Sequence, residues 1–258
     1  MFNISALFTP DEFLTGLDAL TLDENQPQAR AKPRASGLAD CARKQWYAMT
    51  DVPITNPGDK TQLFTNEQNR DLEDTTCKVL ANMGYPVVDR QISLPEDYPV
   101  TGHPDGAFSP TVGFEHKVLG KYSYMKVFQN GLFAEKPGYI TQAALYGDAL
   151  GWDKAQFVIL SADHTATRQE ASRSRQPWAQ REDWNPKFQF PVVDINELKP
   201  LIPVMHARAE QLSEAAQSDT LVEREYSGEE KFPCGYCEWK DRCNVDGSGG
   251  VVVQANPI

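Results

Sequence analysis

No stretch of this 258-residue chain is apolar for long enough to cross a bilayer as a helix. Its opening, MFNISALFTPDEF, has no basic start followed by an apolar core. The first absence excludes a helical membrane span. The second excludes a secretory signal, so a soluble protein of a reducing cytoplasm is expected. Cations are also scarce: 25 Lys and Arg stand against 36 Asp and Glu, a net charge of −11. That excludes a broadly basic nucleic-acid surface and leaves room only for a local cationic channel. Internal repeats are lacking. What remains is ordinary globular composition, 40% hydrophobic and 24% charged, in a chain long enough for one large domain or two small ones.

Residues 1–35 read as a flexible N-terminal segment, polar and interrupted by Pro27 and Pro33. SGLADCARKQWYAMT reads as a short helix capped by Ser36. Leu63 to Met83 reads as a longer helix with Leu72, Val79, Leu80 and Met83 on one face, ending at Gly84. YPVVDRQISL is a predicted strand, and GHPDGAFSP and TVGFEHKVLG are two more, joined by a tight turn at Ser109-Pro110. A polar stretch follows. Pro137-Gly138 then opens a helix, YITQAALYGDALG, and AQFVILSA is an apolar strand. Residues 163–186 read as a polar, basic loop and KFQFPVV as a strand. Asp194 and Glu197 form a capping box for a helix to about Ala216, with Pro200 and Pro203 in its first turns or kinking it. The order implies one α/β core, with a cysteine-bearing subdomain made from both chain ends.

Glu115 and Lys117 stand two apart on a predicted strand and so face the same side. Asp105, at the start of the neighbouring strand and flanked by glycines in GHPDG, can lie beside them. Phosphodiester cleavage needs such a set. Carboxylates bind Mg²⁺ or Mn²⁺ through hard oxygens, the metal acidifies a water, and a lysine orients that water or offsets charge on phosphorus. The His116 carbonyl is a further candidate ligand. Alone the triplet is a weak signal, since carboxylate–lysine patterns also arise on solvated strands. Gln142 and Tyr146 share a face of a predicted helix, from which they could contact a phosphate or brace the lysine. Glu73 is a candidate third carboxylate, with Glu67 and Asp71 as competitors.

Of the five cysteines, Cys234, Cys237 and Cys243 are spaced for one metal centre, and Cys41, in the basic segment CARK, is the best fourth ligand. Cys77 reads as a small buried hydrophobe. Zinc and an iron–sulfur cluster fit this spacing equally.

Taken together, SGLADCARKQWY, GHPDGAF, FEHKVLG, GYITQAALYGDALG and CGYCEWKDRC resemble the RecB-like nucleases of the PD-(D/E)xK superfamily. More narrowly, they resemble the CRISPR-associated iron–sulfur exonucleases and their phage-encoded relatives. The resemblance covers about Ser36 to Cys243. It implies a restriction-endonuclease-like (RecB-like) mixed α/β sheet flanked by helices, over residues 36–243. Within it, 36–60 and 220–243 would form an iron–sulfur subdomain, with a flexible tail at 244–258. It implies Asp105 and Glu115 as metal ligands, Lys117 as catalytic lysine, Gln142 and Tyr146 as the QxxxY motif, and Cys41, Cys234, Cys237 and Cys243 around a 4Fe–4S cluster. Many relatives carry a metal-binding histidine on the first helix. This chain has none there, and Glu73 matches the acidic alternative.

The activity so implied is a metal-dependent DNA exonuclease acting on single strands or ends, in a bacterial or phage-infected cytoplasm. Phage recombination, repair and CRISPR-type processing are the matching settings. A non-catalytic DNA-end or partner-binding module, and an endonuclease or flap nuclease with the same site, are the alternatives. A homo-oligomer or a recombination or CRISPR protein partner is compatible with the resemblance. Arg34, Arg43 and Lys44 form one candidate DNA-binding group. Arg168, Arg173, Arg175 and Arg181 around Trp178 form another. Trp46 and Tyr47 read as packing residues.

Overall fold

A computed structural model of the chain describes residues 30–57, 60–163, 173, 181–227 and 233–254. Most of the expected flexible segment 1–35, and of the loop 163–186, lies outside the described residues. Among those described, no helix is long and apolar enough to cross a membrane.

The core is a mixed sheet, five-stranded among the described residues. β1 (Gly106–Ser109) and β2 (Val112–Leu119) form the antiparallel hairpin expected from the Ser-Pro turn, closing at Ser109 opposite Val112. β3 (Lys154–Ser161) runs parallel to β2 along its whole length. A parallel pair needs a crossover, and α3 (Lys121–Asn130), α4 (Leu132–Glu135) and α5 (Pro137–Leu150) supply it. β4 (Phe188–Gln189) and β5 (Val192–Asp194) both pair antiparallel with β3. The remaining helices are α1 (Ala42–Met49), α2 (Lys60–Asn82), α6 (Ile195–Leu198), α7 (Ile202–Gln217) and α8 (Lys240–Asp246).

Alternation along β2 and β3 sends side chains to two layers. Phe114, Val158 and Leu160 pack with Cys77 of α2, so Cys77 is buried as a hydrophobe. Leu119, Phe157 and Ile159 join the larger core with α5, α7 and α1, where Trp46 and Tyr47 are also buried. Gly113 lies under Trp152, where even a methyl group would overlap the indole.

Several expectations are corrected. The helix after Ser36 begins only at Ala42, and its first N–H is capped by the Glu225 carboxylate at 2.7 Å, not by Ser36. YPVVDRQISL is irregular: Asp89 and Gln91 take left-handed φ of 51° and 55°, leaving only a bridge from Val88 to Ala107. Val79 on α2 and Met83 just past its end are 52% and 63% exposed, and the inward residues are Leu72, Cys77 and Leu80. KFQFPVV is two strands, because Pro191 has no N–H for the ladder, although its carbonyl still accepts from Phe157 N–H at 2.9 Å. Asp194 caps only the single turn of α6, through Asn196 N–H at 2.9 Å. Pro200 interrupts the run, and the long helix starts at Ile202. The stretch after β2 holds α3, which buries Tyr124, Val127 and Phe128 at helical spacing.

Residues 47–56 pack against residues 238 and 239. The ring of Tyr47 stacks against Trp239 at 6.1 Å, Trp239 Nε1 donates to Val52 O at 2.8 Å, and the N–H groups of Thr55 and Asn56 donate to Glu238 O. Residues 244–254 are not the free tail expected. Val251 bridges Val222, Val253 is buried, and Gln254 N–H donates to Gln211. Two buried arginines hold this return. Arg208 donates to Leu38 O, Asp40 O and Gln254 O and forms a two-pronged pair with Glu225 at 2.8 and 2.9 Å. Arg43 donates to the carbonyls of Val222, Gly247 and Gly249.

The guanidinium of Arg208 is 1% exposed and Glu225 is 29% exposed, so removing the carboxylate strands a buried cation. Glu225→Ala should therefore cost about 3 kcal/mol and lower the melting temperature by roughly 5–10 °C. Glu67→Ala, which breaks an exposed pair with Arg70, should change stability by less than about 0.5 kcal/mol. Equal effects in the two thermal melts would contradict this ranking.

Candidate active site

β2 presents Glu115 and Lys117 on the face that looks toward α5, and the β1–β2 hairpin brings Asp105 alongside. Lys117 Nζ lies 2.6 Å from Glu115 Oε2 and 3.6 Å from Asp105 Oδ2. Asp105 Oδ2 also accepts the His116 backbone N–H at 2.7 Å, which locks it to the strand. The loop carrying Asp105 is threaded between close neighbours. At Gly102 a Cβ would meet the Tyr146 ring at 2.7 Å. Gly106 takes a φ of +152°, with Val87 2.4 Å from where its Cβ would be.

Glu115 is fully buried, and its Oε1 has no hydrogen-bond partner. Burial pushes its carboxyl up to about 7 against the pull of Lys117, and the charges of Asp105 and Glu73 push the same way. Lys117 is held above its ordinary range. Burial opposes its charge, and the carboxylates of Glu115 and Asp105 outweigh that. Glu73 comes from α2 on the other layer. Its carboxyl is raised, first by burial, and it too feels Asp105. Glu73 Oε1 is held at 2.8 Å by Arg90, which also binds Asp74 at 2.7 Å. The competitors stand apart: Glu67 pairs with Arg70 in solvent and Asp71 is exposed. The His116 ring turns to the α2 side, 3.2 Å from Thr76 Oγ1, and burial depresses its pKa to about 4.

The two helix residues act in series. Gln142 Nε2 donates to Tyr146 Oη at 3.2 Å, and Tyr146 donates to the carbonyl of His103 at 3.3 Å, two residues before Asp105. They brace the Asp105 loop and not the lysine. The Tyr146 phenol is pushed up to about 12 by burial and by Glu115. The ring that meets Lys117 belongs to Tyr139, 5.5 Å from Nζ. Sequence reasoning missed Tyr139 and Arg90. Tyr139 lies one helical turn before Gln142 and was findable as its i−3 neighbour. Arg90 lies in the segment misread as a strand and carried no signal.

The second site is a cavity of about 130 Å³ lined by Cys41, Cys234, Cys237 and Cys243, all thiols and none in a disulfide. Burial raises the Cys237 thiol, and the thiols of Cys41 and Cys243 add to this. Among the described residues, no three His, Cys, Asp or Glu side chains already form a closed ligand set, here or around Glu115. Of the candidate DNA contacts, Arg43 is fully buried and spent on backbone carbonyls, which corrects its expected role. Lys44 sits 3.8 Å from Asp40 and 3.9 Å from Glu238. Arg181 pairs with Asp183 and lies over Phe128, and Arg173 is exposed. Arg168, Arg175 and Trp178 lie outside the described residues.

No protein-family model matches the sequence, and no curated protein matches it. Solved structures do share its fold. A phage related exonuclease from Haemophilus somnus 129PT superposes with a TM-score of 0.50 at 14% identity, over 73% of this chain and 96% of that one. An alkaline exonuclease from Laribacter hongkongensis superposes at 0.44 and 16%, over 73% and 87%. The first likeness carries the comparison: this chain shares the fold of the Haemophilus protein, a mixed α/β sheet flanked by helices.

Glu115 binds its proton more tightly in the folded chain. It therefore contributes stability below its ordinary value of about 4.5, and that stability is lost as pH rises through about 7. The depressed His116 has the opposite slope between about 6.5 and about 4. Glu115→Gln removes only the first effect. In chelator, the stability of Glu115→Gln relative to the parent should rise between pH of about 5 and about 8. Denaturant titrations that give a constant difference would mean Glu115 is not held protonated.

Proposed function

We propose that the chain is a divalent-metal-dependent deoxyribonuclease that shortens DNA from an end. The observation that carries this reading is Glu115: a fully buried carboxylate with an orphaned oxygen, beside Asp105 and Lys117. A buried acceptor without a donor is a cost to folding that a cation removes. The donor set suits Mg²⁺ or Mn²⁺, held by Asp105, Glu115, Glu73 and the carbonyl of His116. When bound, the cation polarises the phosphoryl oxygen and acidifies a water. With the cation in place, Lys117 would orient that water and offset charge on the phosphorus, and the Tyr139 ring, 5.5 Å from its ammonium, would steady it. Gln142 and Tyr146 keep Asp105 in place through the His103 carbonyl. For Glu73 to serve, Arg90 must keep its grip on Asp74 and release or share Glu73.

The same reading gives Cys41, Cys234, Cys237 and Cys243 a 4Fe–4S cluster. Four thiols on one cavity, none in a disulfide and contributed by segments far apart in the chain, fit such a group. The cluster would supply a covalent staple between residues 36–60 and 220–243, a structural duty and not a catalytic one. That the fold is shared with a phage related exonuclease favours end-directed cutting in phage recombination, repair or CRISPR-type DNA processing.

The test is end-labelled linear single-stranded DNA with Mg²⁺ or Mn²⁺, beside a circular strand of the same sequence. Progressive shortening of the linear strand alone supports an exonuclease, and cutting of the circle makes it an endonuclease. Glu115→Ala and Lys117→Ala should each lower the rate by at least about 10²-fold with the fold intact. Binding of ends without cleavage under either metal would replace the enzyme with a binding module. Cys237→Ser should lose iron and solubility before it loses chemistry. A soluble variant with full iron content would remove Cys237 from the ligand set.

A further inference from the structure

The chain as a whole is acidic, yet the cysteine-lined cavity is not. Four cations line it, Arg43, Lys44, Arg224 and Lys240, against one carboxylate, Asp40. Lys44 has acidic partners. Among the described residues, Arg43 and Arg224 have no carboxylate within salt-bridge distance, although Arg43 acts on Asp246 at longer range. Arg43 is fully buried. Its guanidinium donates to the carbonyls of Val222, Gly247 and Gly249, and its charge acts on Asp246, a carboxylate that Tyr47 and Arg242 already hold. Its remaining contact is Cys243 Sγ, 3.9 Å from Nη1. Arg224 donates from Nη1 to Ser227 O, while its Nε is buried with no hydrogen-bond partner. A buried cation facing a cysteine sulfur and an orphaned guanidinium N–H on one cavity call for an anion in that cavity.

A centre ligated by four thiolates is such an anion. Four negative thiolates around a 2+ core, cluster or zinc, leave a dianion. We propose that Arg43 and Arg224 are positioning residues for this centre: they donate N–H groups to its sulfurs and act as its internal counter-cations. The inference rests on the cysteine cavity holding a thiolate-ligated centre and does not depend on nuclease activity. It also links the centre to the chain end. The guanidinium that faces Cys243 is the one that holds Gly247 and Gly249, so loading the cavity fixes the orientation of Arg43 and with it the return of residues 247–249.

Charge fixes the sign of the effect. A cation beside a centre favours its more negative, reduced form, so removing the cation moves the midpoint potential to more negative values. The experiment compares anaerobically purified full-length protein with Arg43→Gln, Arg43→Lys and Arg224→Gln. Metal content, midpoint potential by dye-mediated titration, and rate of metal loss to a chelator are read for each. Arg43→Gln and Arg224→Gln should shift the potential negative and lose metal about tenfold faster. Arg43→Lys, which keeps the charge but not the fork, should retain most of the potential. If Arg43→Gln does not fold, Arg224→Gln and Arg43→Lys still decide the matter. Unchanged potentials and release rates in variants with full metal content would overturn the proposal. If the parent carries zinc, the iron assignment falls, while faster zinc release in the variants still supports the arginines' role and equal release sinks it. A parent that binds neither iron nor zinc on its thiols overturns both.

Discussion

The pairing of Arg208 with Glu225 is the constraint on which the rest of this molecule hangs. One carboxylate receives both prongs of a buried guanidinium and also caps the first N–H of α1, so three remote segments share one charge pair. The remaining donors of Arg208 take carbonyls at Leu38, Asp40 and Gln254. A fork with five fixed donors suits this task, because it sets angles as well as distances. With α7, α1 and residues 221–225 set by that node, Cys41 stands at the α1 N-terminus facing the segment that carries the other three cysteines. The cavity is a consequence of the node, and Arg43, the residue after the capped Ala42, repeats the device on α1.

The active-site face follows another logic. Here the fold places like charges close together and leaves one oxygen of Glu115 unsatisfied, an arrangement that lowers stability for as long as the site is empty. The eight-residue parallel pairing of β2 with β3 is the rigid support. Asp105, on the less regular hairpin, is steadied by the His116 N–H on one side and by the Tyr146–His103 contact on the other. Helix α5 thus reaches the chemistry twice, directly through Tyr139 at the lysine and indirectly through the loop.

Much of this was readable from residue patterns. The hairpin, the β3 strand and α5 each combine a local turn or cap signal with a burial pattern that agrees with it. The triplet was legible because strand alternation dictates that Glu115 and Lys117 share a face. What failed had physical reasons. Ser36 lost its capping role to a carboxylate far along the chain, a non-local choice that no window of sequence contains. The apolar look of YPVVDRQISL was overridden by left-handed backbone at Asp89 and Gln91. The Gly-rich tail was read as loose because its order comes from Arg43 and Arg208, not from its own side chains. Arg43 carried a misleading signal, since arginine near a cysteine reads as a surface cation until the carbonyls it holds are known.

The separation of these partners along the chain bears on how the protein is made. Arg43 and its Cys243 contact are 200 residues apart, and the carbonyls of Gly247 and Gly249 come later still. At roughly 5–20 residues per second of synthesis, Cys41 emerges some tens of seconds or less before its partners exist. During that interval α1 has neither its cap nor carbonyls for its arginine, and its thiol stands alone on the ribosome-bound chain. The cysteine-lined cavity is therefore completed only once residues 234–249 have been made. Its filling competes with every other reaction open to a waiting thiol.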